Sequence, residues 1–315
     1  MKNKRIIITG ATGFVGANLT HRLCGDGHEV HLLVRENFRP WRIDSILKKI
    51  NLHITDFAHS ERLAGLVRDI QPHRIFHMAA YGAYSDQKDF QQMIQTNFIG
   101  TVNLVEACIK TGCEAFIHTG SSSEYGFKDH PPSEKEWLEP NSHYAVTKAS
   151  ATLFCTYAAM YHHLPLLTLR LYSVYGPWEE STRLIPTLIS RGLRGELPPL
   201  VSPEIARDFV FTEDVITAYL LAADLAHRLR GAVYNVGTGV QTSIREVVET
   251  ACEVMDIKTE PVWGSMTDRI WDTSIWTADT RAIQEELGWH PRYGFDQGFR
   301  EAVAWFRKNM QSMVA

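Results

Sequence analysis

The stretch "SHYAVTKAS" carries Tyr144 and Lys148 four residues apart. On a helix that spacing puts both side chains on one face. A free phenol titrates near about 10, too high for ready proton exchange at neutral pH. A lysine ammonium beside it stabilises the phenolate and lowers that value. Such a pair suits proton exchange with an alcohol or ketone while a nicotinamide exchanges hydride. One strand–loop unit upstream, "AFIHTGSSSEYG" places Ser121, Ser122 and Ser123 in a row, and any of them offers a third hydroxyl. A Tyr and a Lys on a solvated amphipathic helix would be the bland reading.

A nicotinamide needs a dinucleotide site, and "IIITGATGFVG" supplies the pattern for one. Gly10, Gly13 and Gly16 follow a β-rich run and open a helix. Glycine there permits a tight turn, close approach of backbone to pyrophosphate and close helix–strand packing. The helix N-terminus offers unpaired amides to the phosphates. Thr12, Phe14 and Val15 belong to the same turn and count with it as cofactor residues. In "GHEVHLLVREN" the second strand ends on Val34, where dinucleotide folds commonly place a ribose-binding acid, and Arg35 follows. Valine removes the charge that would repel a 2′-phosphate, and the guanidinium can pair with that phosphate and stack on adenine. Arg39, and Arg42 beyond it, are placed to reinforce this. The predicted cofactor is therefore NADP(H).

The elements that must hold these groups are legible as an alternation. "RIIIT", "EVHLLV", "LHIT", "RIFHM" and "AFIHTG" read as buried parallel strands, being near-continuous apolar runs. Helical stretches such as Phe14 to Cys24 and Asp89 to Thr111 lie between them, and "LPLLTLRLY" follows the helix that begins near His143. The alternation predicts a Rossmann-type α/β fold, a doubly wound parallel sheet with a smaller C-terminal α/β lobe. The expected division is residues 1–175 for the NADP-binding domain, with segments returning from the C-terminal half, and 176–315 for the substrate lobe. "ARDFVFTEDV", "AVYNVGTG" and "SIREVVETACEVM" read as strand, strand and helix of that second half. An interface between the lobes is the expected ligand site. Hydrophobic content of 44%, charged content of 22% and a net charge of −4 are ordinary for a globular protein and give no reason to invoke nucleic acid or an anionic membrane. The 5 cysteines lack metal-type spacing and suit a reducing cytosol. No apolar run is long enough to span a bilayer, and the run after "MKNKR" is too short for a signal core.

The G-x-x-G-x-x-G turn, the hydroxyl-bearing strand end and Tyr144/Lys148 together resemble the extended short-chain dehydrogenase/reductase family, the group that includes UDP-galactose 4-epimerase. Register against 4-epimerases, counted from Phe116–Ile117 or back from Tyr125, implies Ser121 as the catalytic hydroxyl and leaves Ser122 and Ser123 to the substrate pocket. The resemblance further implies cofactor contacts at Asp56 and Phe57, at Ala79, Ala80 and Tyr81 (the last also facing substrate), and at Tyr172, Ser173 and Val174, with Asn97 as a structural tie. Arg207, with Arg269 and Asp272 in "RIWDTSIWTAD", matches residues that bind a nucleoside diphosphate, and Arg183 is a weaker phosphate candidate. Departures also inform. Sugar-nucleotide 4,6-dehydratases carry acids where Ser122 and Ser123 stand, with Glu124 one place further on. Decarboxylases carry Glu, and fucose-type epimerase/reductases Cys, at Ser123; the latter also carry His where Trp178 stands. The implied function is NADPH-dependent reduction of a 4-keto-6-deoxy nucleotide sugar, like the abequose or paratose synthases. The alternatives are a nucleotide-sugar 4-epimerase that does not consume its cofactor and a catalytically silent NADP-binding regulator. Relatives often dimerise through the helices that here begin near Asp89 and His143, so a homodimer is expected, with Leu104, Ala107, Leu153 and Tyr157 in the seam or the core.

Overall fold

Each apolar run of the first half becomes a strand: β1 (Arg5–Thr9), β2 (Glu29–Val34), β3 (Ile50–Ile54), β4 (Arg74–His77), β5 (Ala115–Ser121) and β6 (Leu166–Leu171). The computed structural model describes residues 3–84, 86–266 and 275–313. Further strands are β7 (Ser173–Tyr175), β8 (Ala206–Arg207), β9 (Phe209–Phe211), β10 (Val233–Val236) and β11 (Thr242–Ser243). The helices are α1 (Phe14–Gly25), α2 (Ser60–Ile70), α3 (Phe90–Met93), α4 (Gly100–Thr111), α5 (His143–Tyr161), α6 (Leu184–Gly192), α7 (Thr212–Leu225), α8 (Ile244–Met255), α9 (Arg281–Leu287) and α10 (Phe295–Met313).

The main sheet runs β10-β6-β5-β4-β1-β2-β3. Strand order reverses beside β1, which pairs in parallel with β2 on one side and β4 on the other. Ligands of such sheets bind at the carboxyl ends of the strands where the order reverses. The sheet is covered on both faces, which is why its strands read as apolar runs. Ile7, Leu33, Ile75, Phe116 and Leu166 meet Leu63 and Val67 of α2, Leu104 of α4, and Cys155 and Ala158 of α5. Phe76, pointing to the opposite face, meets Tyr219 of α7 with ring centroids 6.2 Å apart. Each such fully buried side chain contributes roughly 1.5–3 kcal/mol over exposure, set against about 1–2 kcal/mol of backbone entropy per ordered residue.

The chain forms two compact units that exchange segments. One comprises Met1–Gly126, Trp137–Leu171 and Ile216–Tyr234; the other comprises Phe127–Glu136, Tyr172–Val215 and Asn235–Ala315. "AVYNV", read as part of the C-terminal half, supplies β10, the edge strand beside β6. In the second unit β7 pairs in parallel with β9, and β8 antiparallel with β11. Its core joins Tyr175, Ile185, Leu188, Phe209, Phe211, Val247 and Phe299. Helix α8 starts on a capping box in which Ser243 and Glu246 satisfy each other's backbone amides.

Candidate active site

The turn after β1 is built for close approach. Gly10 sits at φ +69°, a conformation that costs glycine little. A Cβ on Gly16 would lie 2.2 Å from the Gly10 carbonyl oxygen, so only hydrogen fits there. Helix α1 follows with Gly13 at its N-cap and no side-chain cap, leaving first-turn amides for a ligand. Thr12, Phe14 and Val15 lie in this turn and first helical turn. These features fit a dinucleotide pyrophosphate.

The loop after β4 is tied to the same place. Thr9 Oγ1 accepts from the amides of Met78 and Ala79, 3.1 Å each, and pairs with His77 Nδ1 at 2.7 Å. His77 Nε2 reaches Thr101 Oγ1 at 2.8 Å, and that hydroxyl donates to the Asn97 carbonyl at 2.7 Å. Burial, and then the charge of Lys148, push the His77 pKa down to about 3, so the imidazole is neutral. Asn97 lies in a π-helical turn, Ile94–Ile99, between α3 and α4. Its Oδ1 accepts from the Tyr81 amide and its Nδ2 donates to the Tyr81 carbonyl, both at 2.8 Å, and to Thr147 Oγ1 at 2.9 Å. Thr147 in turn donates to the carbonyl of Tyr144. One amide thus holds the Ala79–Tyr81 loop against the helix that carries the Tyr–Lys pair.

Helix α5 begins where Ser142 caps it by accepting from the Ala145 amide at 3.2 Å. Tyr144 is half-buried in the first turn and Lys148 is 2% exposed in the second. The Lys148 ammonium donates to the carbonyl of Thr119, which places it two residues before Ser121 on β5. Burial lowers the Lys148 pKa, and the carboxylate of Glu124 and then Cys155 raise it again. Ser121 is buried at the end of β5, and its Oγ accepts from the Ser123 amide at 3.2 Å. Ser122 is buried and Ser123 half-buried on the short 3-10 turn that follows, Ser122–Tyr125. An ammonium beside a phenol, with a hydroxyl at the adjacent strand end, can exchange a proton with a carbinol or carbonyl oxygen.

Residues 6–237 match the model of the NAD dependent epimerase/dehydratase family. The chain belongs to that family. Within it, the UDP-glucose 4-epimerase of Mycolicibacterium smegmatis is 29% identical over 98% of this chain and 100% of its own length. The UDP-glucose 4-epimerase of Thermotoga maritima, solved with UDP-glucose, superposes with a TM-score of 0.87 at 26% identity, over 97% of this chain and 99% of that one. MoeE5, solved with UDP-glucose and NAD, gives 0.85 at 30% identity, over 97% and 99%.

Against this epimerase/dehydratase background the remaining candidates sort by place. Val34 is buried at the end of β2; Arg35 and Arg39 are exposed, and neither makes a hydrogen bond or ion pair among the described residues. Arg42 turns inward instead: it is buried, donates to the Thr12 carbonyl at 3.1 Å and lies over the Trp41 ring. It braces the glycine turn. Asp56 is exposed and accepts from the Ala58 amide at 2.9 Å, while α2 starts four residues on with His59 at its N-cap. Phe57 packs edge-on to His77. Tyr172 immediately precedes β7, and Ser173 and Val174 open it, in the second unit, where the Ser173 amide donates to the Asp208 carbonyl. In that unit Arg207 lies over the Trp276 ring at 5.3 Å, and Arg183 stands 3.6 Å from the carboxylate of Glu179. Arg269 and Asp272 lie outside the described residues. Leu104 and Ala107 are core residues, whereas Leu153 and Tyr157 are exposed on α5. Glu124, noted in the sequence only as one place past the acids of the dehydratases, is a wholly buried carboxylate at this site. Its signal was present: Ser121 followed three residues later by Glu124 is a capping-box pattern.

Proposed function

We propose that this enzyme reduces the carbonyl of a nucleoside-diphosphate sugar at the expense of NADPH, with a 4-keto-6-deoxy sugar as the substrate class. One observation carries the choice: β2 ends on a buried valine, and Arg35 immediately after it is exposed, with no hydrogen bond or ion pair among the described residues. A 2′-phosphate meets a cation there instead of an anion, and net reduction draws on the phosphorylated, reduced cofactor pool. When held there, NADPH would supply hydride to the carbonyl carbon. Tyr144 donates the proton to the carbonyl oxygen, Lys148 stabilises the resulting phenolate and holds the ribose, and Ser121 orients the carbonyl. Arg207 and Arg183, with Arg269 and Asp272, bind the nucleoside diphosphate. The absence of acids at Ser122 and Ser123 argues against water elimination at the same site.

The similarity to UDP-glucose 4-epimerases favours a second reading, in which the same set oxidises and re-reduces C4 without net cofactor use. Stoichiometry separates the two. Under the first reading, a 4-keto-6-deoxy nucleotide sugar consumes one NADPH per product, and Tyr144→Phe lowers turnover by roughly 10²–10⁴-fold. Interconversion of UDP-glucose and its C4 epimer without added reductant, and no NADPH consumption with the keto sugar, would instead establish the second. The active form is proposed to be a homodimer joined along α5, whose outer face exposes Val146, Leu153, Tyr157, Met160 and Tyr161.

A further inference from the structure

Behind the Tyr–Lys pair lies a buried ion pair that neither proton nor hydride transfer requires. Glu124 has no exposed surface and Arg170 on β6 is 3% exposed. Glu124 Oε2 accepts from Arg170 Nε at 2.8 Å. Its Oε1 accepts from the Ser121 amide at 2.8 Å and from Thr152 Oγ1 at 3.0 Å. Arg170 Nη1 donates to the Tyr125 hydroxyl at 2.8 Å, and the guanidinium lies 4.6 Å from the centre of that ring. Room for the carboxylate comes from Gly120, where a Cβ would sit 2.8 Å from Oε1.

The placement is directional. Tyr144, Lys148 and Thr152 follow one another at four-residue steps on α5, so they share a face. The hydroxyl of Thr152 holds Glu124 against that face, one turn beyond Lys148. Among the described residues, the other groups around the ammonium offer no anion. His77 on β4 and His118 on β5 are buried and neutral, their pKa values lowered by burial and by Lys148 itself. Burial raises the Cys155 thiol on α5 far out of reach of neutral pH. Tyr219 on α7 bonds the Thr119 side chain, and burial raises its phenol too. Arg170 is engaged on the far oxygen of Glu124.

We infer that Glu124, held by Arg170, is a positioning residue that supplies the buried counter-charge for the Lys148 ammonium. The inference rests on the reading of Lys148 as the cofactor-binding partner of Tyr144. Without that carboxylate a wholly buried lysine gives up its proton more readily, and the phenol beside it loses the cation that tunes it. Glu124 also tethers the Ser121 amide. The serine Oγ already accepts from Ser123, so its own proton is left to donate.

The test is NADPH and NADH fluorescence titration from pH 7 to 10 on the full chain. Glu124→Gln alone strands a buried guanidinium and destabilises the fold, so Glu124→Gln/Arg170→Gln, which keeps hydrogen-bonding atoms and removes both charges, is the informative variant. Affinity at pH 7 is expected within about threefold of wild type. The alkaline midpoint at which affinity falls is expected lower by up to about one pH unit, because the carboxylate nearer the ammonium is lost and removal of the guanidinium beyond it offsets only part of that loss. The same midpoint in both proteins, or flat profiles in both, overturns the inference. Lys148→Met is the control for the underlying reading: if it binds cofactor as wild type does, that reading fails. If it binds weakly while the double variant keeps the wild-type midpoint, the counter-charge role alone falls.

Discussion

At the scale of single residues, the chemistry turns on which side chains are already committed. Arg42 is spent on the Thr12 carbonyl and the Trp41 ring, whereas Arg35 and Arg39 remain available at the end of β2. Spacing alone could not divide the three arginines; the structure does, because only a buried guanidinium must find carbonyls. The proposed NADPH preference therefore belongs to Arg35 and Arg39. A charge-assisted hydrogen bond contributes about 1.5–3 kcal/mol. Replacing both arginines by alanine is thus expected to weaken NADPH about 10- to 150-fold and to leave NADH affinity nearly unchanged, as read by fluorescence titration. Equal weakening of both cofactors would mean that these arginines contact something common to them, such as adenine, and would remove the argument for a consumptive reductase.

At the scale of elements, the site depends on backbone fit. The β1–α1 turn closes so tightly that a methyl on Gly16 would collide with the Gly10 carbonyl. Gly16→Ala must push α1 off the sheet, at a cost of about 1–3 kcal/mol in urea unfolding, and is expected to reduce cofactor affinity more than tenfold. A variant with wild-type stability and affinity would show that the turn is not the cradle. This turn and the strands β1 to β6 were readable from sequence because each is a local pattern: buried parallel strands are apolar runs, and glycine spacing marks the turn. The π-helical turn at Asn97 was not readable, since a hydrophobic period cannot register one extra residue in a turn. Neither was the role of Glu124. Its capping pattern was visible, but Arg170 lies 46 residues away and only β5–β6 pairing brings the two together. Asp56, a cofactor contact by resemblance, accepts from the Ala58 amide, and α2 starts only at Ser60.

At the scale of the whole molecule, stability and assembly draw on groups outside the reacting set. Glu179 is buried beside Arg183, and burial lifts its carboxyl to about 8. The folded state therefore holds a proton that the unfolded state releases near about 4.3. Native stability is lost through this group as pH rises between those two values. His77 and His118, whose folded values are depressed, act in the opposite sense: their contribution is lost as pH falls below the unfolded histidine value of about 6.5. The opposing slopes hide each other in the wild type, so the measurement is a difference. Glu179→Gln mimics the protonated carboxyl, and its stability relative to wild type is expected to grow between pH 5 and pH 8 by up to about 1.4 kcal/mol per unit in urea denaturation; a constant difference would place the carboxyl's titration outside that window. Assembly draws on the opposite kind of group. Leu153 at 63% exposed and Tyr161 at 74% lie with Tyr157 and Met160 on one outward face of α5. Leu104 and Ala107, by contrast, are consumed by the core of their own chain. A contiguous apolar stripe of this kind is costly to leave in water. Replacing Leu153 and Tyr157 by glutamate puts charges into that proposed seam without touching the buried face that carries Lys148. The expected result is a halved mass by light scattering with cofactor affinity retained; an unchanged mass would move the dimer contact elsewhere or leave the chain monomeric from the start.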